Sequence, residues 1–434
     1  MNRRRVGVAA AVLLALLVAA GPGGASVNSH ARASATTVTV WLQVDAQQNW
    51  PDVVNAATQT FEQQHPGVTV DVQYQQWSDH LTKLDASIAG NNAPDVVEMG
   101  NSETVKYMAA GAFADLSSQK SSFPNSSTWL KGLADSCKYQ GKLFCVPYYA
   151  GARAVIYRKD LYHKVGIKKA PTTLAQFTTD SDKLMAKYGS NPNFSALYFP
   201  GKYWYAAMSF VYDFGGQIAT QSGGKWAGAL DSPKAIQGLT ALKAAVGPIS
   251  RASKTGDEAH PFQALVFSKG KVGSIYANGW EWGLALDPKQ GNPKLANDLG
   301  AFPMPSHVKG RYMPTFLGGS DLAIPVTSKN QALAQDWIRD YTSTQSETQM
   351  ATVGKVIANT TTLAKINAGN PQLAPFAAAA KYSWFVPLSP NWANVENAKV
   401  LQNMLASIAT GRSSVAAAAK SADTKITNIL NAPS

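Results

Sequence analysis

Aromatic side chains set beside turns and strand ends are the residues of this chain best suited to chemistry, and the chemistry is recognition. Tyr148 and Tyr149 stand in "VPYYAG", Tyr203, Trp204 and Tyr205 in "GKYWYAAM", and Trp280 and Trp282 in "NGWEW". Tyr382 and Trp384 follow in "KYSWF", and Trp392 in "PNW". A sugar ring has an apolar face of C–H groups and a rim of hydroxyls. A flat aromatic covers the face, while Asn, Gln, Asp, Glu and Arg satisfy the rim; an apolar wall carrying a few placed polar groups is the make-up of a small-molecule site. Any one ring alone reads as core, because large aromatics are mostly buried. Their recurrence next to turn residues points to a ligand.

Templates for bond-breaking chemistry are missing. The sequence contains no H-E-x-x-H, G-x-S-x-G, Walker A or G-x-G-x-x-G motif. His65, His80, His163, His260 and His307 show no metal-ligand spacing, so neither metal nor cofactor is expected. Glu98, Glu281 and Asp321 each fall near an expected strand end, yet nothing pairs two of them as the flanking carboxyls of glycoside hydrolysis. No catalytic residue is assigned, and Glu281 is expected to accept a hydroxyl.

The elements that position these residues follow from periodicity. "TVTVWLQVD" (37–45) alternates and is β-branched, reading as a first strand; "VTVDVQYQ" and "APDVVEMG" read as a second and third. "WPDVVNAATQTFEQQHP" places Val53, Ala57 and Phe61 at helical spacing and stops at Pro66; "SDHLTKLDASIAG" begins on a Ser cap and ends at a Gly; "SETVKYMAAG" is a further helix. This alternation predicts an α/β fold with a parallel sheet and helices on its faces. Later, "ARAVIY", 272–277 and "SDLAIPV" read as strands, Asn278-Gly279 as a sharp turn out of the second of these, and 397–430 as helical.

Composition sets the outer bounds. The 434 residues are 45% hydrophobic and 15% charged, a globular balance with length enough for two domains. Arg3, Arg4 and Arg5, an apolar run over 6–20 and A-x-A sites up to Ala35 predict a signal peptide over 1–35 rather than a membrane span. Removing the four arginines before Thr36 takes the net charge from +12 to +8, with lysines scattered and no Arg-rich run, which disfavours nucleic acid. The two cysteines, Cys137 and Cys145, flank "KYQGKLF" with its Gln140-Gly141 turn; in an exported chain they are expected to form a disulfide closing a hairpin.

From "FEQQHPGVTVDVQYQQWSDHLTKLDASIAGNNAPDVVEMGNSETVKYMAAGAFADLS" onward the chain resembles the extracellular solute-binding proteins of sugar ABC transporters, the maltose- and oligosaccharide-binding family. "GKLFCVPYYAGARAVIYRKDLYHKVGI", "APTTLAQF", "FSKGKVGSIYANGW" and "LGGSDLAIPVTSKNQALAQDWIRDYTS" follow in the family's order. The resemblance implies an α/β, two-lobed periplasmic-binding-protein-like fold with hinge segments and a central ligand cleft. Lobe one would span 36–151 and 299–345, lobe two 152–298 and 346–434, with hinge closure on ligand. It also implies contacts: Gln43 and Asp45 after the first strand, and Met99, Asn101 and Ser102 after the third, Met99 standing where many relatives have an aromatic. Tyr148 to Arg153 would form the first hinge, with Gly151 where some relatives carry an acid. Tyr205 and Trp280 would stack on sugar, Gly318, Gly319 and Ser320 would bring backbone close to it, and Trp392 would be a late aromatic contact. Trp204, Glu281 and Trp384 complete the candidate set.

The implied function is capture of a sugar, expected to be an oligosaccharide, by a monomer that delivers it to the membrane permease subunits of an ABC importer. Gram-positive relatives carry a lipobox cysteine after the signal; residues 1–136 hold no cysteine, so the expectation is an extracellular protein that is released or held at the membrane's outer face through its transporter. The competing classes are a secreted carbohydrate-active enzyme and a sugar-binding module feeding a sensor. Xylo-, malto-, cello- and chito-oligosaccharides all fit.

Overall fold

The computed structural model describes residues 36–433; the expected signal peptide lies outside the described residues. Alternation in "TTVTVWLQ" sends Val38, Val40 and Leu42 fully inward and forms the strand Thr36–Gln43. It pairs in parallel with Val68–Gln75 along its whole length and with Val96–Gly100 on the other side. The linking helix Pro51–Gln64 has Pro at its start and buries Val53, Val54, Ala57 and Phe61, one stripe of a helix. The expected strand–helix order is therefore present.

Two later strands make this sheet mixed rather than parallel. Gly318–Ala323 inserts antiparallel between Val96–Gly100 and Cys145–Gly151, and Ile357–Ala358 pairs with the outer edge of Cys145–Gly151. Local periodicity marked "SDLAIPV" as a strand but gave no sign of its antiparallel insertion or of Ile357–Ala358, because their partners lie more than a hundred residues away. A second, antiparallel sheet has Arg153–Arg158 at its centre, flanked by Ser274–Asn278 and Leu299–Phe302.

Each sheet has its own core. Val40, Phe61, Tyr148 and Trp337 pack under the first; Val155, Phe177, Trp204, Leu239 and Trp392 pack beside the second. These are the two lobes. One stretch, Cys145–Arg158, supplies a strand to each sheet and crosses between them at Gly151-Ala152. Leu299–Phe302 hydrogen-bonds into the second sheet, and Thr315–Phe316 pairs with Ser383–Trp384. Ile357–Ala358 pairs into the first sheet.

Local junctions also differ from the expectations. The first strand ends at Gln43, where Val44–Asn49 coils into a short helix. The helix His80–Ala89 is entered from Asp79, with no side-chain cap from Ser78. Asn278-Gly279 is not a turn between strands but the point where Ser274–Asn278 passes directly into the helix Gly279–Ala285. Glu281 in that helix's first turn reaches back to accept the Asn278 N–H at 3.0 Å, the carboxylate half of a capping box. Among the described residues no helix is long and apolar enough to cross a membrane.

Gln140 (φ +48°) and Gly141 (φ +81°) make the two-residue turn joining Lys138–Tyr139 to Lys142–Leu143. Just outside this hairpin, Cys137 and Cys145 are fully buried and joined as a disulfide, as the sequence led us to expect. Closing so short a loop restrains the unfolded chain by about 2–3 kcal/mol. Replacing both cysteines with serine is expected to lower unfolding free energy by about that amount in denaturant melts, and thiol labelling of the native protein is expected to find no free cysteine.

Candidate functional site

Sheet register brings the ends of distant strands to one place between the lobes. Ser320 lies opposite Gly100, Gly318 opposite Gly151, and Arg153 opposite Asn278. Around this line opens a cleft of about 750 Å³, within the usual size range of small-molecule sites. Residues just past the strand ends form its walls.

The first-lobe wall is polar with one plate. Asp45, in the first turn of Val44–Asn49, accepts a hydrogen bond from the Trp77 indole N–H. Trp77 is 39% exposed, unusual for so large a ring, and lies edge-on to His80 at 5.1 Å. His80 is held at both nitrogens: Nε2 is 2.9 Å from a Glu103 carboxylate oxygen and Nδ1 is 3.0 Å from the Trp77 carbonyl. Burial opposes a charge there, but the Glu103 hydrogen bond and charge and the Trp77 carbonyl outweigh it, so the His80 pKa is raised. With an acceptor at each nitrogen, the ring when doubly protonated donates to both and ties Trp77 to Glu103. The Glu103 carboxylate also accepts the Gly100 N–H at 3.0 Å.

The opposite wall is aromatic. Tyr203 leads into the helix Trp204–Asp213, whose first turn presents Trp204 and Tyr205. Tyr205 stacks on Phe316 with centroids 5.1 Å apart, and Trp204 backs Tyr205 at 4.0 Å. Between the walls, Trp280 projects from the start of Gly279–Ala285 over the hinge and meets Tyr149 edge-on at 6.4 Å. A Cβ on Gly151 would come within 2.7 Å of the Trp280 ring, which is why the hinge has no side chain there. Gly319 (φ +141°) is equally constrained, since a Cβ would fall 2.0 Å from the Tyr149 carbonyl oxygen.

Carboxyl groups outnumber cations on the cleft surface: Asp45, Asp79, Asp85, Glu103, Asp257, Glu258, Glu281 and Glu396 against Lys106, Arg153, Lys202 and Lys399. Burial pushes Glu281 up to about 7, against the pull of the Asn278 N–H, Arg153 and Gln263. Burial, with the Glu103 charge added, pushes Glu396 up to about 8, so it carries its proton at neutral pH. Burial also raises Asp45, opposed by the Trp77 bond. The cleft thus offers sugar-like ligands both hydroxyl acceptors and, at Glu396, a carboxyl proton to donate.

Of the residues expected at the site, Asp45, Asn101, Arg153, Trp204, Tyr205, Trp280, Glu281, Gly318 and Gly319 line this cleft. Ser102, read as part of the same loop, lines it too. Gln43, Met99, Tyr148, Ser320, Trp384 and Trp392 do not. Gln43 turns inward, giving its N–H and side-chain amide to Glu98, and Met99 is fully buried in the first core. The Tyr148 hydroxyl is enclosed by Trp50 and Tyr341. The Ser320 hydroxyl donates to Tyr149, 3.3 Å away. Trp384 and Trp392 pack behind Trp204, at 6.3 and 6.0 Å. Trp282 is buried against Ile156 and Ile275. Of the three carboxyls considered for catalysis only Glu281 reaches the cleft; Asp321 is buried between the Thr104 and Ser136 hydroxyls.

Sequence reasoning missed Trp77, Phe316, Glu103, Glu258 and Glu396 as lining residues and left Tyr149, named among the turn-side aromatics, out of the candidate set. Trp77 met the same criterion as Trp280, an aromatic just past a strand. Tyr149 was signalled by strand alternation, since it shares a face with Gly151 and Arg153 while Tyr148 takes the other.

A sequence profile described as "Bacterial extracellular solute-binding protein" matches residues 42–348. The diacetylchitobiose binding protein DasA of Streptomyces coelicolor is 32% identical over 383 residues, covering 88% of this chain and 87% of its own. The chain belongs to the bacterial extracellular solute-binding proteins. This solute-binding protein is also 26% identical over 346 residues to a lactose-binding protein of Rhizobium radiobacter, covering 76% and 75% of the two chains. Its fold matches the GacH receptor of Streptomyces glaucescens, solved unliganded and with acarbose, at 21% identity and a TM-score of 0.77 over 92% of this chain and all of that one. It likewise matches the sugar-binding protein MalE of Xanthomonas citri, at 19% identity and a TM-score of 0.76 over 91% and 97% of the two chains.

Glu98 beneath the cleft yields a pH prediction. It is buried, accepts the Gln43 N–H at 2.8 Å, and leaves its other oxygen without a partner, so burial pushes it up to about 7. Its folded value lies above the usual 4.5, so its contribution to stability falls as pH rises from 4.5 to about 7 and is level beyond. Glu98→Gln is expected to exceed the wild type in unfolding free energy by about 1–3 kcal/mol above that window and to lose the advantage below it, read from urea melts across pH.

Proposed function

We propose that this solute-binding protein captures a short oligosaccharide in the interlobe cleft and hands it to the membrane permeases of an ABC importer. The observation that carries this reading is the facing of aromatic plates, Trp280 and the Tyr205–Phe316 pair, by a carboxyl- and amide-rich rim across one cleft. Sugar faces fit the former and sugar hydroxyls the latter. The names of its relatives support sugar as the class but differ in the sugar: diacetylchitobiose, lactose and, among solved structures, acarbose.

The lobes we propose are 36–151 with the segments around 318–358, and 152–316 with the C-terminal remainder, in keeping with the strand pairings. Chain crossings near 152, near 317 and after 358 would act as the hinge, and ligand touching both walls would favour closure. No turnover is part of this reading, since the cleft brings no pair of expected catalytic carboxyls together.

A thermal-shift screen with xylo-, malto-, cello- and chito-oligosaccharides tests the proposal. A true ligand at 100 times its Kd stabilises the fold by about 2.7 kcal/mol and raises Tm. No shift and no calorimetric heat with any of these sugars, or release of hydrolysis products, contradicts it. With the best ligand, Trp280→Ala is expected to weaken binding by about 1–3 kcal/mol through loss of a stacking face, measured by titration calorimetry on protein whose far-UV spectrum is unchanged.

A further inference from the structure

Arg153 is a cleft cation that the protein itself satisfies only in part. Its side chain is only 7% exposed, yet no carboxylate lies within ion-pair distance of it among the described residues. Nε donates to the Tyr203 hydroxyl at 2.8 Å, and the guanidinium lies over the rings of Tyr205 at 4.9 Å, Tyr203 at 5.5 Å and Phe316 at 6.0 Å. The aromatic faces offset part of the desolvation of the charge. The remaining four N–H donors, on the two Nη atoms, have no hydrogen-bond partner among the described residues and belong to a side chain that lines the cleft. These donors face the cleft rather than the packed interior, so an acceptor on a ligand meets a guanidinium whose position is already fixed by the Tyr203 hydroxyl and the aromatic faces.

The surroundings restrict what that acceptor is. A carboxylate on the ligand would enter a cleft already rich in carboxyls, with Glu258 and Glu281 near the arginine. A hydroxyl is donor and acceptor alike and is served as well by the carboxyl-rich rim. A neutral acyl oxygen has two lone pairs in a plane and no proton, matching the planar fork of the guanidinium. Its methyl group would lie against the apolar faces of Tyr205 and Phe316 that flank the same guanidinium.

Resting on the receptor reading above, we infer that Arg153 anchors the acyl oxygen of an acetamido sugar, so that this cleft selects N-acetylated oligosaccharides over their hydroxyl counterparts. The test is calorimetry of the full mature chain with N,N′-diacetylchitobiose, its deacetylated diamine and cellobiose, which share ring stereochemistry and linkage. The wild type is expected to prefer the acetylated disaccharide over cellobiose by about 10- to 100-fold, the contribution of a charge-assisted hydrogen bond. Arg153→Lys retains the charge but loses the fork, and is expected to shrink that preference. Equal wild-type affinity for acetylated and unacetylated sugars overturns the assignment, as does a preference that survives Arg153→Lys; the wild-type series decides alone if the variant does not fold. Tightest binding to the diamine points to the cleft's carboxyls instead and also overturns it. Binding of maltose but none of the three disaccharides rejects the acyl oxygen and leaves the receptor reading intact, whereas binding of no sugar at all removes both.

Discussion

The passage of one chain segment through two sheets is the constraint on which the rest depends. Cys145–Gly151 and Arg153–Arg158 are strands in different lobes with a single residue between them. Their pairings lock Gly318 and Asn278 to either side of the crossing, so the cleft line is set by backbone hydrogen bonds rather than by side-chain packing. Trp280 then rests on Gly151, where the missing Cβ leaves room for an indole directly over the crossing. A ring in that position touches what the two lobes share, and a ligand stacked on it is in contact with the hinge itself.

Electrostatics inside the cleft run against those of the whole chain. The sequence carries a net charge of +12, while the cleft gathers carboxyls, several with pKa values raised by burial. With Glu281 raised to about 7 and Glu396 to about 8, these two carboxyls are partly protonated near neutrality, and neutral hydroxyl ligands meet a wall that both accepts and donates. Arg153, among the cleft's few cations, is held by aromatic rings rather than by an acid.

Much of the fold was legible because its elements are locally consistent. "TVTVWLQ" and "VTVDVQYQ" alternate and pair at the expected place, and the cysteine hairpin forms around Gln140-Gly141. What escaped was long-range: the antiparallel insertion of Gly318–Ala323 and the docking of Leu299–Phe302 depend on partners far along the chain. The site was legible in kind but only partly in membership. Trp280 and Trp392 look alike in sequence, each beside an Asn and a helix start, yet Trp392 is covered by Trp204 and buried completely. Tyr148 and Tyr149 are neighbours whose fates differ by the parity of one strand. Asn278-Gly279 was read as a turn because the dipeptide favours one, whereas Glu281 three residues on completes a helix start instead.

Part of the cleft wall is built from residues that follow strand ends: Asp45, Trp77 and Asn101. Few of them are tied into the ladders that hold the sheets. Exchanging them alters which ligand fits without unpicking the framework that presents it. A different ligand could be met by changing these loop tips while the crossing at Gly151-Ala152 and the indole above it stay as they are.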